Sequence, residues 1–288
     1  MSDSRLVLVT GATGQQGGAV ARRLLENGFR VRGITRNPES DAAGGLATLG
    51  AEMVRAEFSD AESLAAALEG VDAVFAMTTP FEAGIEAETA QGLALVDAAV
   101  AAGVDHFVYS SVASADKATG IPHFDSKYRV EQHLEASGLR WSVIAPVYFM
   151  GNLFFPDTLS GLKEGTYAIA LPADLQLQQI ATEDIGAFAA HVLANPDRFA
   201  GTRTDIAGDE LSSQESADVL SRDLGRPVSV FEVSIEGIRS FSEDLALMFE
   251  WFVSTGYVAD IDGLRAAHPE VGWTRFADWA PRVSAALS

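Results

Sequence analysis

Few residues in this chain have the type and spacing to do chemistry, and three groups stand out. Lys127 lies early in "GIPHFDSKYRVEQHLEASGL" (120–139), an amphipathic stretch, with His123 four residues ahead. Positions i and i+4 share a helix face, so an ammonium and an imidazole would stand side by side. Lys127 reads as a cofactor clamp, a catalytic group or plain helix surface. His123 reads as a proton carrier, since imidazole titrates near pH 6.5, or as packing at the helix entry. The second group is "VTGATGQQGGAV", which sets Gly11, Gly14 and Gly17 between an apolar run and a helical one. Such a turn lets backbone approach a pyrophosphate and aims a helix N-terminus at it. The third is Arg36 in "GITRNPE", where a site for NAD usually has an acid on the ribose hydroxyl. An arginine there can pair with a 2′-phosphate, favouring NADP(H) over NAD(H), or it solvates a strand end before Pro38.

The bulk composition narrows the field. The 288 residues carry a formal charge of −20, which repels a nucleic acid or an anionic membrane. Residues 1–36 run against that trend, with six arginines facing only Asp3 and Glu26. There is no cysteine, and the five histidines show no metal-ligand spacing, so no metal is expected. The start "MSDSRLVLVTG" lacks an export pattern, and the apolar "WSVIAPVYFMGNLFF" is interrupted by Pro146 and Gly151. A cytoplasmic protein is the expectation.

The elements that must position these groups alternate in type. "RLVLVT", "FRVRGIT", "AEMVRAEF", "VDAVFAMT", "DHFVYSS" and "RWSVIAP" read as strands, separated by helical periods. Continuous apolar runs of this kind mark a parallel sheet covered on both faces. Gly28 is placed to end the first helix in the left-handed position. Ser110 and Ser111 close the fifth strand at the carboxyl edge, where open α/β sheets bind ligands. After Pro146 the alternation fades, with a helix over 181–196, a strand "TRTDIAG", a helix near 212–224, a strand "PVSVFEV" and an aromatic-rich helix near 241–254. The last of these is a pocket lid, core packing or a dimer face. The fold class expected is α/β, a Rossmann-type doubly wound parallel sheet over 1–150, with a smaller α+β part over 151–288 partly woven into it.

The glycine turn, "TRNP", "SSVASADKATGIPHFDSKYRVEQHL" and "APVYFMGNL" together resemble the NmrA-like family, an atypical branch of the short-chain dehydrogenase/reductase superfamily. The similarity spans about residues 5 to 250. It implies cofactor contacts from Gly11, Thr13, Gly14, Gln15, Gln16, Gly17 and Arg36, with Phe58 bordering the adenine. Thr78, Thr79, Ser110, Pro146, Tyr148 and Phe149 would line the rest of the cofactor, and Lys127 would meet the nicotinamide ribose. Ser111, Tyr148 and Asn152 would face the substrate, Tyr148 and Phe149 supplying flat aromatic walls. Ordinary members of the superfamily carry a tyrosine acid four residues before the lysine; here that position is His123. Tyr128 is no simple substitute, since neighbouring helical residues point about 100° apart.

The resemblance implies one of two functions. The first is an NADPH-dependent reductase of quinones or similar electron-poor small molecules, whose oxygens take protons from water. The second is a non-catalytic NADP(H) sensor acting on a protein partner. A monomer or homodimer is expected in either case.

Overall fold

The computed structural model describes residues 4–287; Asp3, counted in the basic amino-terminal stretch, lies outside them. The strands β1 (Leu6–Val9), β2 (Arg30–Thr35), β3 (Glu52–Arg55), β4 (Ala73–Met77), β5 (His106–Ser110) and β6 (Trp141–Pro146) fall where the apolar runs placed them. They form one sheet in the order β6-β5-β4-β1-β2-β3, with Thr202–Ile206 added beyond β6. From β3 through β6 every neighbouring pair is parallel. The order reverses at β1, the switch point beside which open α/β sheets bind ligands.

Helices α1 (Gln15–Glu26), α2 (Asp41–Thr48), α3 (Ala61–Leu68), α4 (Pro80–Ala83), α5 (Ile85–Ala102) and α6 (Pro122–Ala136) fill the crossovers. Leu64, Leu68, Leu95, Val96, Val130 and Leu134 from α3, α5 and α6 share one buried cluster with Leu8, Val74, Phe107 and Tyr109 of the sheet. A Cβ added at Gly186 would come within 2.8 Å of the Ala19 backbone, so the chain at Gly186 lies close against α1. Gly28 ends α1 at φ 84, and Phe29 N–H returns to the Leu24 carbonyl at 3.0 Å, which satisfies the helix's last carbonyls.

The spacing of α5 and α6 is set by a missing side chain. A Cβ at Gly92 would stand 2.4 Å from Val130 Cγ2, so the two helices approach more closely there than alanine allows. One turn earlier on each helix stand Glu88 and Ser126, and that close approach brings them together.

Compact packing divides the chain into two units that interleave in sequence. The first comprises residues 1–118, 122–145 and 185–205; the second comprises 119–121, 146–184 and 206–288. The second unit holds a three-stranded sheet, Asp209–Ser212, Gln176–Ile180 and Tyr148–Phe149, and a parallel pair, Thr166–Ile169 with Ser229–Glu232. The strand in "TRTDIAG", which follows the first 150 residues in sequence, supplies the edge of the main sheet beyond β6. No helix among the described residues is long and apolar enough to cross a membrane.

Candidate active site

The glycine turn follows β1 directly. Gly11 lies at φ 60, and its carbonyl accepts from Gly14 N–H at 2.9 Å. A Cβ on Gly17 would lie 2.4 Å from Gly11 O and 2.5 Å from Thr10 O, and one on Gly11 would strike Met77 Sδ at 2.4 Å. Gly11 is therefore required by its left-handed backbone, and Gly17 by the carbonyl oxygens that a Cβ would strike. Gly14 caps α1 without any side-chain hydrogen bond, and the first turn contains no acid. Thr13, Gly14 and Gln15 are exposed. Free amide donors and the positive end of the helix dipole thus face outward from a smooth cradle, which fits a dinucleotide pyrophosphate.

Hydrogen bonds knit the carboxyl edge to this turn. Thr10 Oγ1 donates to Met77 O at 2.8 Å and accepts from Met77 N–H at 2.7 Å, locking β1 to β4. Gln16 Nε2 donates to Ser110 Oγ, so both of these predicted cofactor residues sit together, at the start of α1 and the end of β5. Arg36 directly follows β2, its side chain 70% exposed, and pairs with Glu82 of α4 at 2.9 Å. Thr79 caps α4, its hydroxyl accepting from Phe81 N–H.

Lys127 stands at the centre of a buried network. Its Nζ donates to Thr78 O at 2.9 Å and to Glu88 Oε1 at 2.7 Å. The lysine side chain is 12% exposed and the Glu88 side chain 0%. Ser126 Oγ donates to Glu88 Oε2 at 2.5 Å, and Thr78 Oγ1 donates to Oε1 at 3.3 Å. That leaves Thr78 Oγ1 to accept from Tyr109 OH, 3.1 Å away. Tyr109 is fully buried, and burial pushes its phenol well above the ordinary range. Glu88, Ser126 and Tyr109 had no place in the sequence reading. A signal for Glu88 existed: it lies on the apolar face of α5 with Gly92, Leu95, Val96 and Ala99, where a carboxylate needs a partner.

His123 lies one turn before Lys127 on α6. It is 8% exposed, with its ring edge-on to Phe124 at 4.8 Å and tilted against Phe81 at 6.4 Å. Ser111 Oγ donates to Glu131, a second buried carboxylate, which also receives Arg203 Nε at 2.9 Å. Arg203 further pairs with Asp205, lies 3.6 Å from Asp116 and donates to Val112 O at 2.9 Å. This ion cluster anchors the loop after β5, in which Ser114 and Ala118 take left-handed conformations unusual for residues with a Cβ. Burial raises the Glu131 carboxyl, and Arg203 opposes that rise.

Phe58 follows β3 and packs on the α3–α5 core cluster, lining a groove of about 1190 Å³ between those helices. That groove contains neither the glycine turn nor Lys127. The remaining predicted residues belong to the second unit. Pro146 ends β6, and Tyr148 and Phe149 pair with Gln179 and Ile180. Tyr148 is half-buried, edge-on to Phe252 at 6.2 Å. Burial raises its phenol, and a hydrogen bond with Asn152 draws it back.

Comparison with known proteins gives this geometry a family. The model of the NmrA-like family matches residues 3–280. The chain belongs to the NmrA-like family. Among curated NmrA-like relatives, a domain-containing protein of Dictyostelium discoideum is 28% identical over 98% of both chains. A (4-alkanoyl-5-oxo-2,5-dihydrofuran-3-yl)methyl phosphate reductase of Streptomyces griseus is 33% identical, covering 82% of this chain and 79% of its own. Two of the solved structures that share this fold illustrate it. One is NmrA, a negative transcriptional regulator in complex with NADP, with TM-score 0.80 and 21% identity over 98% and 96% of the two chains; it is also known in complex with NAD. The other is the NADPH-dependent quinone oxidoreductase QOR2 of Escherichia coli complexed with NADPH, with TM-score 0.80 and 24% identity over 96% and 99%.

Proposed function

We propose that this NmrA-like protein is an NADPH-dependent reductase of quinones or similarly electron-poor small molecules. One observation carries the reading: Lys127 is fixed between Thr78 O and the buried Glu88, at the same sheet edge as an uncapped glycine cradle. The cradle holds the pyrophosphate through α1 amides. Arg36 takes the 2′-phosphate that distinguishes NADPH from NADH, exchanging Glu82 for it. Lys127 holds the nicotinamide-side ribose. The bound cofactor supplies a hydride, two electrons and a proton nucleus, to the acceptor.

The nature of the acceptor follows from the proton inventory. Tyr109, the tyrosine in this network, is sealed from solvent with its hydroxyl on Thr78, and His123 stands where ordinary members of the superfamily carry the tyrosine acid. An isolated ketone needs an acid at its oxygen as hydride arrives. A quinone does not: hydride adds to the ring system, and water delivers the remaining proton to give the hydroquinone. The reductase names of the Streptomyces and Escherichia relatives support a reductive role. The same lack of a placed acid, with a transcriptional regulator among the structural neighbours, favours a second reading as an NADP(H) sensor.

Deuterium transfer separates the two. With NADPH deuterated at one face of C4, the reductase loses the label from one epimer only when an acceptor is present. Retention of label from both epimers, with cofactor bound, rejects the reductase and leaves the sensor.

A further inference from the structure

We infer that Glu88 is a positioning residue for dinucleotide binding, acting wholly through Lys127. An ammonium has three N–H donors. Two of those on Lys127 are committed inside the protein, to Thr78 O at 2.9 Å and Glu88 Oε1 at 2.7 Å. The fixed pair of acceptors leaves one donor and sets its direction. Glu88 itself is held from two sides, by Ser126 Oγ on one oxygen and Thr78 Oγ1 on the other. Its position comes from the close approach of α5 and α6 at Gly92 and Val130, one turn away. A lysine without this arrangement has a flexible four-carbon stem and a freely rotating head. With it, the cation is pre-placed before any ligand arrives, which lowers the ordering cost of binding.

This inference rests on the reading of Lys127 as the clamp on the nicotinamide-side ribose. The test compares two probes, NADPH and adenosine 2′,5′-bisphosphate, the half-ligand that lacks the nicotinamide ribose. Kd is measured for wild type, Glu88→Gln, Lys127→Met and the double variant, each well below its unfolding transition. Glu88→Gln is expected to weaken NADPH about tenfold, about 1.4 kcal/mol, and to leave the half-ligand within about twofold. The double variant is expected to lose no more than the larger single loss, because Glu88 has nothing to act through once Lys127 is gone.

Single losses that multiply to about a hundredfold overturn the inference, as does a Glu88→Gln protein that binds NADPH like wild type. Equal loss for both probes overturns it too, since that marks general loosening. Should Glu88→Gln not fold, Ser126→Ala keeps both charges and removes one restraint on Glu88; about threefold weakening of NADPH alone is expected, and none overturns the inference. A wild type that binds the half-ligand but gains nothing from the rest of NADPH refutes the Lys127 reading instead. A wild type that binds neither probe refutes the cofactor reading as a whole.

Discussion

Lys127 Nζ lies 2.7 Å from Glu88 Oε1, and the carboxylate it meets is fully buried. Burying two charges costs desolvation that only their mutual attraction and further hydrogen bonds offset. Here both are present, since Glu88 also receives Ser126 and Thr78. Removing one partner leaves the other charged and dry. Lys127→Met is therefore expected to lose about 3–5 kcal/mol of stability in urea unfolding, and Glu88→Gln/Lys127→Met to recover most of it. A Lys127→Met protein as stable as wild type would contradict the pairing. Any loss of activity in a lysine variant has to be read against this.

Gly17 and Gly44 differ in what a methyl group would meet. At Gly17 it would lie 2.4 Å from Gly11 O, whereas at Gly44, in α2, nothing stands within 4 Å. Gly17→Ala is expected to cost about 1–3 kcal/mol from overpacking and to weaken NADPH binding at least about tenfold. Gly44→Ala is expected to gain roughly 0.5–1 kcal/mol as an ordinary helix substitution. Thermal unfolding and fluorescence titration of the two proteins check both.

Arg36 pairs with Glu82 at 2.9 Å on an exposed surface, so the pair itself adds little stability. Its consequence is for discrimination between dinucleotides. Arg36→Ala is expected to weaken NADPH about tenfold and leave NADH unchanged. Glu82→Gln frees the guanidinium and is expected to tighten NADPH a few-fold. Equal effects on NADPH and NADH would remove Arg36 from the 2′-phosphate.

His106 gives the fold an acid-side sensitivity. Burial, helped by the Arg140 charge, lowers its imidazole from 6.5 to about 4. Its Nε2–H donates to Ser142 Oγ at 2.9 Å, because the serine proton goes to Phe199 O at 2.7 Å. Between pH 6.5 and 4 the unfolded chain binds the proton and the folded one does not, so stability falls as pH falls through that window. The loss reaches about 3 kcal/mol at its acid end. Glu131 and Asp205, raised by burial, act oppositely: their stabilisation is lost as pH rises through their folded values. His106→Asn keeps a donor for Ser142 and isolates the histidine. Urea unfolding is expected to show a shallower acid loss in the variant; parallel curves for the two proteins would contradict the assignment.

What could be read from the sequence was local. The glycine turn, Arg36 and the face shared by His123 and Lys127 each follow from spacing within one element, and all of these residues lie in the first unit. The partner of Lys127 lies 39 residues away on another helix, so it could be sensed only as a carboxylate on an apolar face. Arg203 came from a strand that the pattern assigned to the carboxyl-terminal part. The strand Gln176–Ile180 escaped notice because its glutamines look solvated. Gln178 is in fact buried, and its amide both donates to Ala259 O at 3.0 Å and accepts from Ala259 N–H at 2.8 Å. A polar side chain that satisfies a distant backbone leaves no trace in hydropathy.

The most direct test of the reductase claim is NADPH consumption by the purified protein against a panel of quinones, followed at the cofactor's absorbance. The account predicts oxidation that depends on both protein and acceptor and yields hydroquinone in equal amount. NADPH that binds tightly but is not oxidised above the protein-free rate by any acceptor would contradict it.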